Sequence, residues 1–126
     1  MANIASYMWI ALGSALGGMG RYACSRAIAA RFGDQFPWGT LAVNVAGSFL
    51  IGGFAALAGP MSVAPDLRLF VTAGICGGFT TFSSFSLQTL DLIRRRAFAA
   101  AMGNMVLSVL LCLISVWAGS ALATAS

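Results

Sequence analysis

The residues best suited to chemistry fall in one uncharged stretch, Gly74-Ile75-Cys76-Gly77-Gly78-Phe79-Thr80-Thr81-Phe82-Ser83-Ser84-Phe85-Ser86. Hydroxyls at Thr80, Thr81, Ser83, Ser84 and Ser86 are interleaved with Phe79, Phe82 and Phe85, whose i, i+3 spacing puts the rings on one helical face. Other uncharged segments add Asn44, Asn104 and Ser108, and Arg21 closes the first of them. Most of these groups are hydrogen donors, and the edges of aromatic rings are also partly positive because the ring quadrupole is negative on its faces. Donors beside a fixed positive charge suit an anion. For a small, strongly hydrated anion, closely spaced donors must replace the lost water, by the logic that carbonyls apply to cations. Each residue also has a plainer use: a Phe stripe packs, an amide bonds to a neighbouring helix, a serine bonds back to its own helix, and an arginine snorkels to an interface.

The missing side chains exclude as much as the present ones allow. There is no His, Glu or Lys, and Asp34, Asp66 and Asp91 all sit in the charged clusters that separate the apolar runs. No nucleophile has a base near it, so no enzymatic reading survives. A proton-coupled cation exporter needs a carboxylate within the membrane, and none lies in the middle of a run. Cys24, Cys76 and Cys112 are scattered without a CxxC pair and read as small apolar residues. The seven arginines cluster where the apolar runs end, which favours lipid headgroups and topology over nucleic acid.

These residues must be positioned by membrane helices. The chain has 126 residues, 60% hydrophobic and 8% charged, against about 25% charged in soluble domains. Four uncharged segments, 1–20, 35–65, 69–90 and 97–126, can each hold the roughly 20 residues of a spanning helix. The reading is an all-α integral membrane protein, one domain over 1–126, with four transmembrane helices at about 6–29, 38–59, 67–93 and 98–123. The first is expected to be an uncleaved anchor, since no basic leader or cleavage site precedes it. Gly13, Gly17, Gly18 and Gly20 give it a small face for close approach. The third helix is expected to break at Gly77-Gly78, because glycine costs roughly 1 kcal/mol in a helix interior. Freed backbone at that depth must line protein or a watery cavity. Asn104, Ser108 and Cys112 at i, i+4, i+8 form a polar stripe on the fourth. So small a bundle has little interior, so it should self-associate. Arg31, Arg94, Arg95 and Arg96 fall in the 1–2 and 3–4 links, with Arg68 in the 2–3 link, a bias that favours both termini outside.

Gly17-Gly18-Met19-Gly20-Arg21-Tyr22, Gly39-Thr40-Leu41-Ala42-Val43-Asn44-Val45-Ala46-Gly47-Ser48 and Gly77-Gly78-Phe79-Thr80-Thr81-Phe82-Ser83-Ser84-Phe85-Ser86 resemble the three signature blocks of the Fluc/CrcB fluoride channels. The resemblance spans all four segments in order, and the third block is the most specific. It implies a fluoride channel in a bacterial inner membrane, built as an antiparallel dual-topology homodimer with two fluoride pathways. It implies a structural sodium ion at the dimer centre, held by backbone carbonyls at positions matching Gly77 and Thr80. Phe82 and Phe85 match the family's phenylalanine pair, and Asn44 its pore asparagine. The hydroxyl track matches Ser83, Ser84 and Ser108 with Thr40 nearby, and Arg21 matches the vestibule arginine. The chain departs from the family pattern at Gln88, Asn104 and Cys112, where Glu, Tyr or His, and Ser are usual. The partners implied are the fluoride ion, a second copy of the chain and the lipid bilayer. Two other readings stay open: a coupled small-ion or drug transporter of four-helix type, and a non-transporting membrane assembly subunit.

Overall fold

A computed structural model describes residues 3–125, and every regular element among them is helical. Helix α1 is Ile4–Phe32 and α2 is Trp38–Ala58. Helix α3 covers 65–79 in three parts: Pro65–Leu69, a π-helical segment Phe70–Cys76, and a final turn Gly77–Phe79. Helix α4 is Phe82–Arg94 and α5 is Phe98–Ala125. Three stretches are long and apolar enough to cross a membrane: Trp38–Ala58, Pro65–Arg94 and Phe98–Ala125. At 29 residues α1 is long enough as well, but Arg21, Arg26 and Arg31 leave it less apolar than the other three.

Local chemistry explains where the helices begin and turn. Asn3 caps α1, its side chain accepting from the Ser6 N–H at 2.9 Å, as short polar residues do at this position. Gly33 ends α1 with φ 83. The 59–64 and 95–97 links use the same closing motif. Val63 N–H donates to the Ala58 carbonyl at 3.2 Å and Ala97 N–H to that of Leu92 at 2.8 Å. In each case the preceding residue is left-handed, Ser62 at φ 53 and Arg96 at φ 61, a position glycine usually fills.

The helices run as two parallel pairs. The hydroxyl of Ser6, at the start of α1, donates to Asp66 Oδ1 at 3.1 Å, at the start of α3. At the opposite end Arg95 Nη2 donates to the Gln35 carbonyl at 3.0 Å. Helices α2 and α5 therefore run in the same direction from that end, alongside each other and joined by Ser115 Oγ donating to the Val45 carbonyl at 2.7 Å.

Small residues set the closest contacts. A Cβ on Gly13 would sit 2.8 Å from the Gly74 Cα, and one on Gly78 would sit 2.6 Å from the Ser14 carbonyl oxygen. Gly17 meets the Ile75 backbone in the same seam, while Gly52 and Gly119 press α2 against α5 at Val116 and Phe49. Such approaches let dispersion and backbone contact replace the hydrophobic drive that lipid does not supply. Gly18 is different: a Cβ there would meet nothing within 4 Å.

The break expected at Gly77-Gly78 lies instead at Thr80 and Thr81. Gly77–Phe79 is helical, whereas Thr80 (φ −90, ψ 158) and Thr81 (φ −153, ψ 118) are extended. Gly78 serves the packing against α1, and the helix stops where side chains offer its backbone other partners.

Candidate functional site

At the break, polar side chains take over bonds that a continuous helix would make. Asn44, on α2, pairs with both sides of Thr81: its Nδ2 donates to the Thr81 carbonyl at 3.0 Å, and its Oδ1 accepts from the Thr81 N–H at 2.8 Å. Thr81 in turn caps α4, its hydroxyl oxygen accepting from the Ser84 N–H at 3.1 Å. On the other side of the break, Thr80 N–H and Thr80 Oγ1 both donate to the Cys76 carbonyl, at 3.0 and 2.9 Å. Arg21, half-buried on α1, donates Nε to the Gly78 carbonyl at 3.1 Å. A guanidinium at the carbonyl end of a helix satisfies an orphan acceptor and complements the dipole there.

Two of these bonds divert N–H groups from the carbonyls they would meet in a helix. In a continuous α-helix the Gly77 carbonyl would accept from Thr81 and the Thr80 carbonyl from Ser84. Asn44 Oδ1 and Thr81 Oγ1 hold those two N–H groups. Among the described residues no cluster of His, Cys, Asp or Glu could hold a metal ion, so a cation at the break would rest on backbone oxygen. Carbonyl oxygens three residues apart, stripped of their donors, fit a hard cation such as sodium.

Gly77 and Thr80 also line a groove of about 450 Å³ between α2, α3, α4 and α5. Asn44, Ser48, Phe82, Phe85, Ser108 and Cys112 share its wall with aliphatic side chains. The Phe82 and Phe85 rings lie 5.4 Å apart, tilted by 44°. Phe82 is 78% exposed, far more than its depth within a spanning segment would suggest for packing inside one chain.

The family model described as "CrcB-like protein, Camphor Resistance (CrcB)" matches residues 8–120. The chain belongs to the CrcB family. It is 56% identical over 116 residues to a protein of Opitutus terrae named "Fluoride-specific ion channel FluC", covering 90% of this chain and 88% of that one. A protein of Methylocella silvestris with the same name is 52% identical over 122 residues, covering 94% and 93%. A third, from Rhodospirillum rubrum and again so named, is 50% identical over 117 residues, covering 90% and 91%.

In this CrcB chain the groove gathers Asn44, Gly77, Thr80, Phe82, Phe85 and Ser108, but not every residue that the sequence nominates. Ser83 is exposed, its hydroxyl 3.3 Å from that of Thr81, and Ser84 is half-buried beside it. Thr40 is buried on α2, 6% exposed. Asn104 is 1% exposed behind the groove wall, where its Nδ2 donates to Thr89 Oγ1 at 2.9 Å. Ser108 Oγ donates to Asn104 Oδ1 at 3.4 Å, and Thr89 Oγ1 donates to the Phe85 carbonyl at 2.8 Å. A hydroxyl–amide–hydroxyl thread thus ties α5 to the turn carrying Phe85. Sequence reasoning passed over Thr89; its place one turn beyond Phe85 was the available signal. It also passed over Thr81 as a cap, although Thr81 precedes an apolar-periodic run in the manner of an N-cap.

Proposed function

We propose that the chain is a fluoride channel of a bacterial inner membrane. In this reading it works as an antiparallel, dual-topology homodimer of four-span subunits. The carrying observation is that relatives about half identical over nine-tenths of the chain are named fluoride-specific ion channels. The groove supplies the chemistry such an activity requires. Fluoride, stripped of water, would meet the edges of Phe82 and Phe85 and the hydroxyl of Ser108, whose one hydrogen would turn to it from Asn104 Oδ1. Asn44 Nδ2 spends one hydrogen on the Thr81 carbonyl and keeps a second for an anion. Arg21 spends Nε on Gly78, and its four terminal N–H groups stay free to attract fluoride at the pathway mouth. Thr40, Ser83 and Ser84 would extend the donor set on either side, and Asn104 would serve it from behind the wall by holding Ser108 and Thr89.

A second copy is the natural cover for an open groove with so exposed a phenylalanine. Two antiparallel copies would bring four carbonyls together, from Gly77 and Thr80 of each, as the cage of a structural sodium ion. That ion would supply a fixed positive charge and a cross-link between the two breaks. Transport needs no coupling ion. Protonated HF crossing from acid surroundings dissociates inside, and the membrane potential then drives the anion out, with about 2.3 kcal/mol per charge at 100 mV. Absence of a mid-membrane carboxylate argues against a coupled transporter.

The test is fluoride efflux from liposomes holding the purified chain alone. They are loaded with potassium fluoride, valinomycin is added to release the counter-charge, and chloride serves as control. Rapid fluoride loss that ignores an imposed pH gradient, without chloride loss, is the expected result. Efflux that follows the pH gradient would establish a coupled transporter instead. No flux from folded protein would point first to a required, oppositely inserted paralogue partner, and no flux with that partner present would leave the non-transporting subunit.

A further inference from the structure

We infer that Asn44 and the Thr81 hydroxyl are positioning residues that create the cation site by diverting two backbone N–H groups away from it. The inference rests on the sodium reading above and extends it to side chains that do not touch the ion. The geometry has two matched arms. Asn44 Oδ1 takes the Thr81 N–H at 2.8 Å, which frees the Gly77 carbonyl. Thr81 Oγ1 takes the Ser84 N–H at 3.1 Å, which frees the Thr80 carbonyl. Thr80 Oγ1 and Arg21 Nε meanwhile satisfy the Cys76 and Gly78 carbonyls. Of the residues from Gly77 to Thr80 whose carbonyls lose a helical donor at the break, Gly78 is taken by Arg21, and of the other three Gly77 and Thr80 line the groove. Selection among neighbouring carbonyls is set by which donors the side chains supply.

Removing either arm returns an N–H to its helical carbonyl, closes one ligand and weakens the cation site. The two functions of Asn44 can be separated by chemistry. Freeing Gly77 needs only its Oδ1 acceptor, whereas contact with an anion needs its Nδ2 donor. Asn44→Asp keeps the acceptor and loses the donor. Thr81→Ser keeps the hydroxyl, and Thr81→Val removes it at nearly constant shape.

The experiment measures thermal unfolding of the purified detergent-solubilised protein across a sodium titration, with choline replacing sodium at constant ionic strength. For Asn44→Ala and Thr81→Val, the sodium concentration giving half-maximal protection should rise roughly tenfold, the effect of one hydrogen bond of ordinary strength. Asn44→Asp and Thr81→Ser should stay at or below the parent value, even where Asn44→Asp abolishes fluoride flux. If Asn44→Ala does not yield folded protein, the Thr81→Val and Thr81→Ser pair decides alone. Parent-like sodium dependence in Asn44→Ala or Thr81→Val overturns the inference while the sodium site stands. A parent protein that sodium protects no better than choline overturns the sodium site and the inference with it.

Discussion

The two faces of α3 are built from opposite materials. Toward α1 it presents Gly74 and Gly78 in a dry seam where backbone lies on backbone, with Gly13 and Gly17 opposite. Toward the groove it presents Cys76, Gly77 and Thr80, and beyond the break Phe82 stands 78% exposed. One face tolerates no added atom; the other is the wall of an open groove. The contrast explains how a membrane helix can be interrupted without losing its place. The seam fixes the half-helix against α1 so firmly that the break can spend its hydrogen bonds on side chains instead of on helix continuity.

The comparison can be broken most severely at the seam. Gly17→Val would drive a branched side chain into the Ile75 and Phe79 backbone, which cannot yield as a flexible side chain does. Overpacking alone costs about 1–3 kcal/mol, and a backbone collision exceeds it. Size-exclusion chromatography should show no monodisperse protein. A folded Gly17→Val protein would mean that the seam is looser than described.

A smaller loss is expected on the groove side of the bundle. Asn104→Leu removes the donor to Thr89 and the acceptor for Ser108. Interhelical side-chain bonds in membranes are worth about 1 kcal/mol or less, so its thermal midpoint should fall by only a few degrees. Aggregation on purification would instead place Asn104 among the packing determinants.

Gly18→Ala should have the least effect, since its Cβ meets nothing within 4 Å, although Gly18 directly follows the seam position Gly17. Unchanged or slightly raised thermal stability is expected, because alanine favours a helix by up to about 1 kcal/mol over glycine. Marked destabilisation would show that the small face of α1 is wider than Gly13 and Gly17.

Much of this was legible in the order of residues. Charge-free runs separated by arginine clusters outlined the helical legs, and the hydroxyl and phenylalanine pattern drew attention to the segment that lines the groove. The break was misplaced by three residues for a physical reason. Glycine was read by its local helix propensity, whereas Gly78 answers to Ser14 across the seam. The extended peptide at Thr81 answers to Asn44, 37 positions away, and no local pattern carries that information. Thr89 was missed on the same account, since its partner Asn104 lies on another helix. The π-helical turn over Phe70–Cys76 has no mark in composition.

The central claim is that the exposed phenylalanine beside the break belongs to the ion pathway. Fluoride efflux from liposomes carrying Phe82→Ile tests it most directly, with chromatography confirming that the variant assembles as the parent does. An aliphatic side chain fills similar space but lacks the positive ring edge, so fluoride flux should fall sharply while assembly is kept. Parent-like flux from the assembled variant would contradict the account and remove Phe82 from the pathway.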